Sequence, residues 1–284
     1  MSKKIILSAD SPCDLTPEIR QQYGVNLYPY HIILEGKSYV DNVDVSADVL
    51  YDAYHDRKVL PSTAAINVGE FIDYFKQWTD EGYEVVHINL SSGLSSSFQN
   101  ARLAAEELGG VYVIDSKNLS TGVGHLVIEA GKLIGEGLEA SEVAARLEEM
   151  VSKVHSSFIL DTLEFMKAGG RCSATAAFGA NLLKLKPLIN VNNENGKMEV
   201  GKKYRGALMG VLEQYVGEKL DEYDDIRTDK IFITHSGIEQ EYVDAVRRTI
   251  EEKMGFENII VTRASCTISC HCGPRCLGIL FMTK

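Results

Sequence analysis

The amino-acid sequence predicts an α/β protein of two closely packed lobes, the first built on a mostly parallel sheet sandwiched by helices. Three observations carry that expectation. Short apolar runs alternate with helical segments along the whole chain, the rhythm of a sheet with helices on both faces. The 284 residues suffice for one large core or two modest ones. No linker rich in Pro, Gly or Ser separates the halves, so the lobes, 1–156 and 157–284, are expected to pack against each other.

The elements follow in order. "KIILSA" (4–9) reads as the first strand. In "TPEIRQQYG", Thr16 stands as N-cap, Pro17 as the first helical residue and Gly24 as terminator. "VNLYPYHIIL" reads as a second strand that turns at Glu35-Gly36 into a short hairpin arm. Ser46 caps a helix through about Tyr54, and Asn67 with Glu70 makes a capping box for one ending near Asp80. "EVVHINL" (84–90) is a buried strand, "SSGLSSS" leads into a helix to Leu108, and "VYVID" (111–115) is the next strand. Helices follow near 121–135 and 141–154.

The second lobe opens at "SSFILDTL" (156–163). "TLEFMKAGGRCSATAAFGANLLKL" reads as helix, Gly169-Gly170 break, then helix. "KPLINV" and "KMEVGKKY" flank the hairpin turn "NNENG". A helix near 206–221, strand 230–235, helix 239–254, strand 258–263 and a last strand 277–282 complete the set.

Composition narrows the function. A net charge of −11 and a pI near 5.2 argue against nucleic acid and against anionic membrane surfaces. The opening "MSKKIILSAD" lacks the apolar core of a secretory signal, and no stretch is long enough to span a membrane. The expected address is the cytoplasm, where thiols stay reduced. Cys13 and Cys172 lie far from the other four cysteines, so spacing yields no disulfide framework.

Polar groups gather at loops. "SADSPCD" (8–14), "LPSTAAIN" (60–67) and "SSGLSSS" (91–97) are expected to open on one sheet edge, where ligands of parallel sheets sit. Ser92, Gly93 and Ser95 offer hydroxyls and backbone N–H groups to an anion; equally, such residues simply cap helices. "AGGRCSA" presents Arg171 after a glycine corner, either to an anion or to a surface acid. Cys266, Cys270, Cys272 and Cys276 fall within eleven residues, but their gaps do not match the paired ligands of a zinc site. Cys270 and Cys272 would share a face if extended, with His271 turned away. Buried apolar thiols are the alternative. His271 precedes a Gly273-Pro274 turn that would hold an imidazole for an anionic head group.

At these residues the chain resembles the DegV family of bacterial fatty-acid-binding proteins over essentially its full length. The carriers are "SADSPCDL", "PSTAAINVGEF", "INLSSGLSSSFQNA", "VIDSKNLSTGVG", "DTLEFMKAGGRCSA", "LKLKPLINV" with "KKYRG", and "CHCGPRCLGILF", in that order and spacing. The resemblance implies a two-lobed DegV-like fold holding one long-chain fatty acid, with Thr63, Ser92 and His271 around its carboxylate and no cofactor. It also implies a separate ATP-dependent kinase that converts the presented acid to acyl phosphate for phospholipid metabolism. Ser95, Arg171, Arg205 and Arg275 are candidate further contacts to the head group or that partner. Cys272, Arg275 and Cys276 depart from the family's pattern after the histidine, and Ser96-Ser97 from its pattern after Leu-Ser.

Two other classes stand beside this reading. A thiol-based metal or redox protein would use the four clustered cysteines. A small-molecule hydrolase would use Ser92, His271 and Asp10, although no G-x-S-x-G elbow occurs. No phosphate-binding G-x-x-x-x-G-K-[ST] loop supports a nucleotide enzyme.

Overall fold

The computed structural model describes residues 4–173, 175 and 185–284. The first half runs β1 (Ile5–Asp10), α1 (Pro17–Tyr23), β2 (Asn26–Tyr28), β3 (His31–Leu34), β4 (Lys37–Val40), α2 (Ala47–Arg57) and β5 (Ser62–Ala64). It continues with α3 (Val68–Thr79), β6 (Glu84–Asn89), α4 (Ser97–Leu108), β7 (Val111–Asp115), α5 (Thr121–Gly135) and α6 (Ala140–Val151). Strands β2-β1-β6-β7 pair in parallel, as a chain of β–α–β units requires. The helix starts follow their local chemistry. Thr16 Oγ1 accepts from Ile19 N at 3.4 Å, and Asn67 and Glu70 exchange both bonds of a capping box, at 3.0 and 2.9 Å. Ser46 stands at the start of α2 without a side-chain capping bond.

The second half runs β8 (Val154–Ile159), α7 (Glu164–Gly169), β9 (Leu185–Val191), β10 (Met198–Arg205), α8 (Leu208–Asp221) and β11 (Ile231–His235). It ends with α9 (Gln240–Lys253), β12 (Ile259–Arg263), α10 (Cys266–Cys272) and β13 (Leu277–Met282). Its sheet has the order β10-β9-β8-β13-β11-β12, antiparallel except for β11 with β12. The proposed lobe boundary after residue 156 falls inside β8. The helix expected after Gly169-Gly170 lies mostly outside the described residues.

Three local readings change. The single strand expected over 25–34 is two, because Pro29 cannot donate to a ladder and Tyr30 N turns instead to Ser11 Oγ at 3.1 Å. β2 stays in the parallel sheet, while β3 founds a separate three-stranded arm with β4 and β5. The stretch "PSTAAIN" was expected as a loop, yet Ser62–Ala64 closes that arm as its edge. The cysteine segment is not extended: it is the helix α10.

Helix α5 is the hinge-pin of the packing. Its residues from Thr121 to Ala130 are all buried, and its apolar side chains share one core with Leu7 and Ile88 of the first sheet and Phe232 and Leu280 of the second. The outer face of the second sheet is covered by α8 and α9, through residues such as Leu212, Val216 and Val246. The tip of the β9–β10 hairpin docks on the loop after β6, where Ser91 Oγ donates to Gly196 O at 2.8 Å.

Candidate functional site

The seven residues of α10 are sorted by the helical period onto three faces, since side chains four apart lie nearly above one another. Cys266 and Cys270 bury among Ile32, Leu34, Val45 and Leu50, under the β3–β4 arm and α2. Thr267 and His271 face a pocket. Ile268 and Cys272 line that pocket and a second one beyond it.

Two buried carboxylates from the first half fix the start of this helix. Asp41 accepts from Cys266 N at 2.9 Å and from the hydroxyls of Thr267 and Ser11, each at 2.7 Å. Asp14 accepts from Ser265 N at 2.9 Å and Ser120 Oγ at 2.6 Å. Acceptors of negative charge belong at a helix N-terminus, where backbone N–H groups point outward. Burial nonetheless raises both carboxyl groups, Asp14 to about 7. Ser265 adds a conventional cap to Ile268 N at 3.4 Å.

His271 Nε2 lies 3.0 Å from Thr63 Oγ1, which β5 presents from the arm. Burial, and then the charge of Arg171, lowers the imidazole to about 4, so the ring is neutral at neutral pH. Its Nδ1 is buried without a hydrogen-bond partner among the described residues. The ring fits only because Gly169 has no side chain: a β-carbon there would sit 2.2 Å from Nδ1. Gly170, at φ +65°, then turns the chain so that Arg171 follows along the pocket rim. Arg171 donates to Gly169 O at 2.7 Å and to Leu94 O at 3.4 Å, main-chain oxygens that leave its charge uncompensated by a carboxylate among the described residues.

The serine loop divides. Ser95 lines the pocket, with its hydroxyl 3.1 Å from that of Ser97. Ser92 is exposed, accepts from Lys117 Nζ at 3.1 Å, and is not among the pocket's lining residues. The backbone N–H groups expected to be free for an anion are taken: Ser92 N by Asp115 at 3.0 Å, Gly93 N by Ser91 Oγ at 3.0 Å, and Ser95 N by Ser91 O at 3.1 Å. Of the three loops expected on one edge, 60–67 and 91–97 meet the pocket. The loop 8–14 lies beneath it and holds α10.

Arg205 is exposed at the end of β10 and does not line the pocket. Arg275 turns outward: it donates to Asp161 at 3.1 Å, pairs with Glu239, and stacks its guanidinium 4.9 Å from the centre of the Tyr242 ring. Asp10, Ser92 and His271 make no triad. Asp10 is wholly buried and accepts from Leu90 N at 2.7 Å and from Asn89 and Tyr30, each at 3.1 Å. His87, 3.2 Å away, is the imidazole beside it. The four clustered thiols likewise separate, two into the arm's core and two into the core around the pocket. Burial pushes Cys266 up to about 12 and Cys270 and Cys276 upward too, which favours the thiol over the thiolate that a nucleophile or metal ligand needs. Among the described residues, no three His, Cys, Asp or Glu side chains gather as a metal site.

The first pocket spans about 510 Å³ and the second about 320 Å³, both figures including space open to solvent. Leu119, Ile268 and Cys272 line both, so the two are neighbours that share this wall. The first carries Thr63, Ser95, Arg171 and His271 at its polar side; the second is bounded by Phe158, Ala264, Cys276 and Leu280. Sequence reasoning missed Gly169 as the clearance for His271, Asp14 and Asp41 as anchors, and Tyr30 as a wall. The Pro29 break was the available signal for Tyr30; nothing local announced the others.

Fold and pocket together define an α/β protein of two larger sheets and a three-stranded arm, with two neighbouring pockets, the first carrying the polar groups Thr63, Ser95, Arg171 and His271. The DegV family profile, described as "Uncharacterised protein, DegV family", matches residues 4–284, and the chain belongs to that family. It is 30% identical over 287 residues to a DegV domain-containing protein of Staphylococcus aureus, covering 100% of both chains. Among solved structures it resembles a DegV family protein of Thermus thermophilus described for fatty-acid binding, at TM-score 0.88 and 27% identity, over 99% of this chain and 100% of that one. A fatty-acid-binding DegV family protein of Streptococcus agalactiae matches at TM-score 0.88 and 25% identity over 100% of both chains. Both solved structures are described as fatty-acid-binding proteins. Among the described residues no helix is long and apolar enough to cross a membrane.

Proposed function

We propose that the protein binds one long-chain fatty acid, carboxylate in the first pocket and tail in the second. The observation that carries this reading is the adjacency of the two pockets, which share Leu119, Ile268 and Cys272 as a common wall. A carboxylate accepts only, so it needs donors: the hydroxyls of Thr63 and Ser95, His271 Nε2–H and the Arg171 guanidinium supply them. Within the serine loop the geometry favours Ser95, while Ser92 is engaged by Lys117. On this reading the lobes 1–156 and 157–284 both contribute, Thr63 and Ser95 from one, Arg171 and His271 from the other.

The magnitudes suit a lipid carrier. A sixteen-carbon tail buries about fifteen methylene or methyl groups at roughly 0.8 kcal/mol each, or about 12 kcal/mol before the costs of association. Each charge-assisted hydrogen bond to the head adds about 1.5–3 kcal/mol. The tail therefore dominates affinity and the head fixes orientation. In the fuller form of the proposal, the loaded protein works in the cytoplasm and presents the acid to an ATP-dependent kinase that makes acyl phosphate for phospholipid metabolism. Arg205, exposed beside the pocket-bearing lobe, is the docking candidate; Arg275, committed to Asp161 and Glu239, drops out of that role.

Native mass spectrometry of the purified protein tests the binding. One fatty-acid mass per chain is expected, either carried through purification or taken up from added palmitate. A chain that purifies free of lipid and takes up none overturns the reading.

A further inference from the structure

We propose that Leu119, Ile268 and Cys272 form a waist in the acyl tunnel and that Cys272 is the residue determining which chains pass it; this rests on the fatty-acid reading above. Among the described residues these three side chains alone line both pockets, so a tail that runs from the first pocket into the second has to pass this shared wall. Ile268 and Cys272, four apart on α10, stack as one wall. Leu119, from the segment entering α5, is the other. All three are buried, Cys272 to 4% exposure.

The wall that bears Cys272 is rigid, so its side chain rather than backbone movement sets the opening. Gly273, directly after it, has φ +70°, and a β-carbon there would sit 2.7 Å from the Phe165 ring. Gly273 N donates to Ser269 O at 3.0 Å, and Gly273 O accepts from Tyr51 OH at 3.3 Å and from Ser236 Oγ. The facing wall is tied as firmly. Leu119 N donates to Asn118 Oδ1 at 3.1 Å and Leu119 O accepts from Gly122 N at 2.9 Å. Between two fixed walls, cysteine leaves room for an unbranched chain, and each atom added at this position narrows the passage. Chains short enough to end within the first pocket touch this wall without having to pass it.

The test compares octanoate and palmitate binding by titration calorimetry in the wild type and in Cys272→Phe. Octanoate, which meets residue 272 only from the first pocket, should lose at least about tenfold less affinity than palmitate. Palmitate should lose about a hundredfold or more, since each methylene kept out of the second pocket forfeits roughly fourfold in affinity. Palmitate binding that stays unchanged, or equal losses for both acids in a variant with wild-type circular dichroism, overturns the proposal. Cys272→Ala, which adds no atoms, covers the case of a phenylalanine variant that does not fold. It should raise the affinity of an acid methyl-branched at mid-chain relative to palmitate by about fivefold or more, and an unchanged ratio overturns the waist. A wild type that binds neither palmitate nor octanoate overturns the fatty-acid reading itself; a wild type that binds palmitate beside indifferent variants overturns only the waist.

Discussion

The imidazole of His271 occupies the space that a side chain at residue 169 would need. A Gly169→Ala variant should therefore push the ring away from Thr63 and weaken fatty-acid binding roughly 10–150-fold, the equivalent of one charge-assisted hydrogen bond. Gly170→Ala is the control: its φ of +65° makes alanine strained by about 1–2 kcal/mol, lowering the melting temperature while the affinity stays near wild type. His271→Ala and Thr63→Ala should each cost the same 10–150-fold without abolishing binding, because the tail contributes most of the affinity. Calorimetry with palmitate measures all four. A variant of His271 that binds as wild type does would remove the residue from the site. The histidine itself was legible in the sequence through its Gly-Pro turn, and Thr63 and Arg171 only through the family's pattern. The clearance at Gly169 was not, because it depends on two segments about a hundred residues apart.

At the scale of the element, α10 depends on groups it does not itself contain. Asp41→Ala removes the acceptor of Cys266 N and of the Thr267 and Ser11 hydroxyls in a buried setting, and should destabilise the protein by roughly 2–4 kcal/mol. Denaturant unfolding measures the loss; a change under about 0.5 kcal/mol, typical of an exposed site, would mean that the helix start is anchored elsewhere. This element is also where sequence reasoning fell shortest. Seven residues, five of them β-branched or cysteine, carry little intrinsic helix preference, and the capping carboxylates lie far away in the chain. By contrast, α1 and α3 were readable to within a residue or two, because their caps, Thr16 and Asn67, are local. The same contrast explains β5, which is a strand only because β3 lies beside it.

For the whole molecule, buried titratable groups set opposing pH dependences. His271 and His125 are lowered, to about 4 and about 3, each chiefly by burial; His125 Nε2 meets Leu280 O at 3.0 Å inside α5's core. Their contribution to stability is complete above about pH 6.5 and is lost as pH falls through the lowered values. Asp14, raised to about 7 by burial, works the other way: its contribution is present below about pH 4 and lost as pH rises through 7. His155 and His235 are lowered by burial as well, and Asp41 is raised like Asp14; four histidines against two aspartates leave stability falling as pH drops from about 6.5 to about 4. Asp14→Asn removes one opposing contribution and should make that fall steeper. Urea midpoints across the range check this, and an identical slope in wild type and variant would refute the assignment. The fold class was legible because alternation is a local signal. The second sheet's antiparallel order was not, since pairing partners such as β8 and β13 are over a hundred residues apart.

The three faces of α10 also constrain how this segment can vary in length. A substitution touches one face at a time: the arm's core, the head-group side or the waist. A single inserted or deleted residue before Thr267 would rotate every later side chain by about 100°. It would swing the thiols of one core toward the polar pocket and the imidazole toward an apolar wall. Residues 266–272 therefore tolerate a change of letter, whose effect stays on one face, better than a change of number, and a relative with a gap there would have to build its pocket on a different helix.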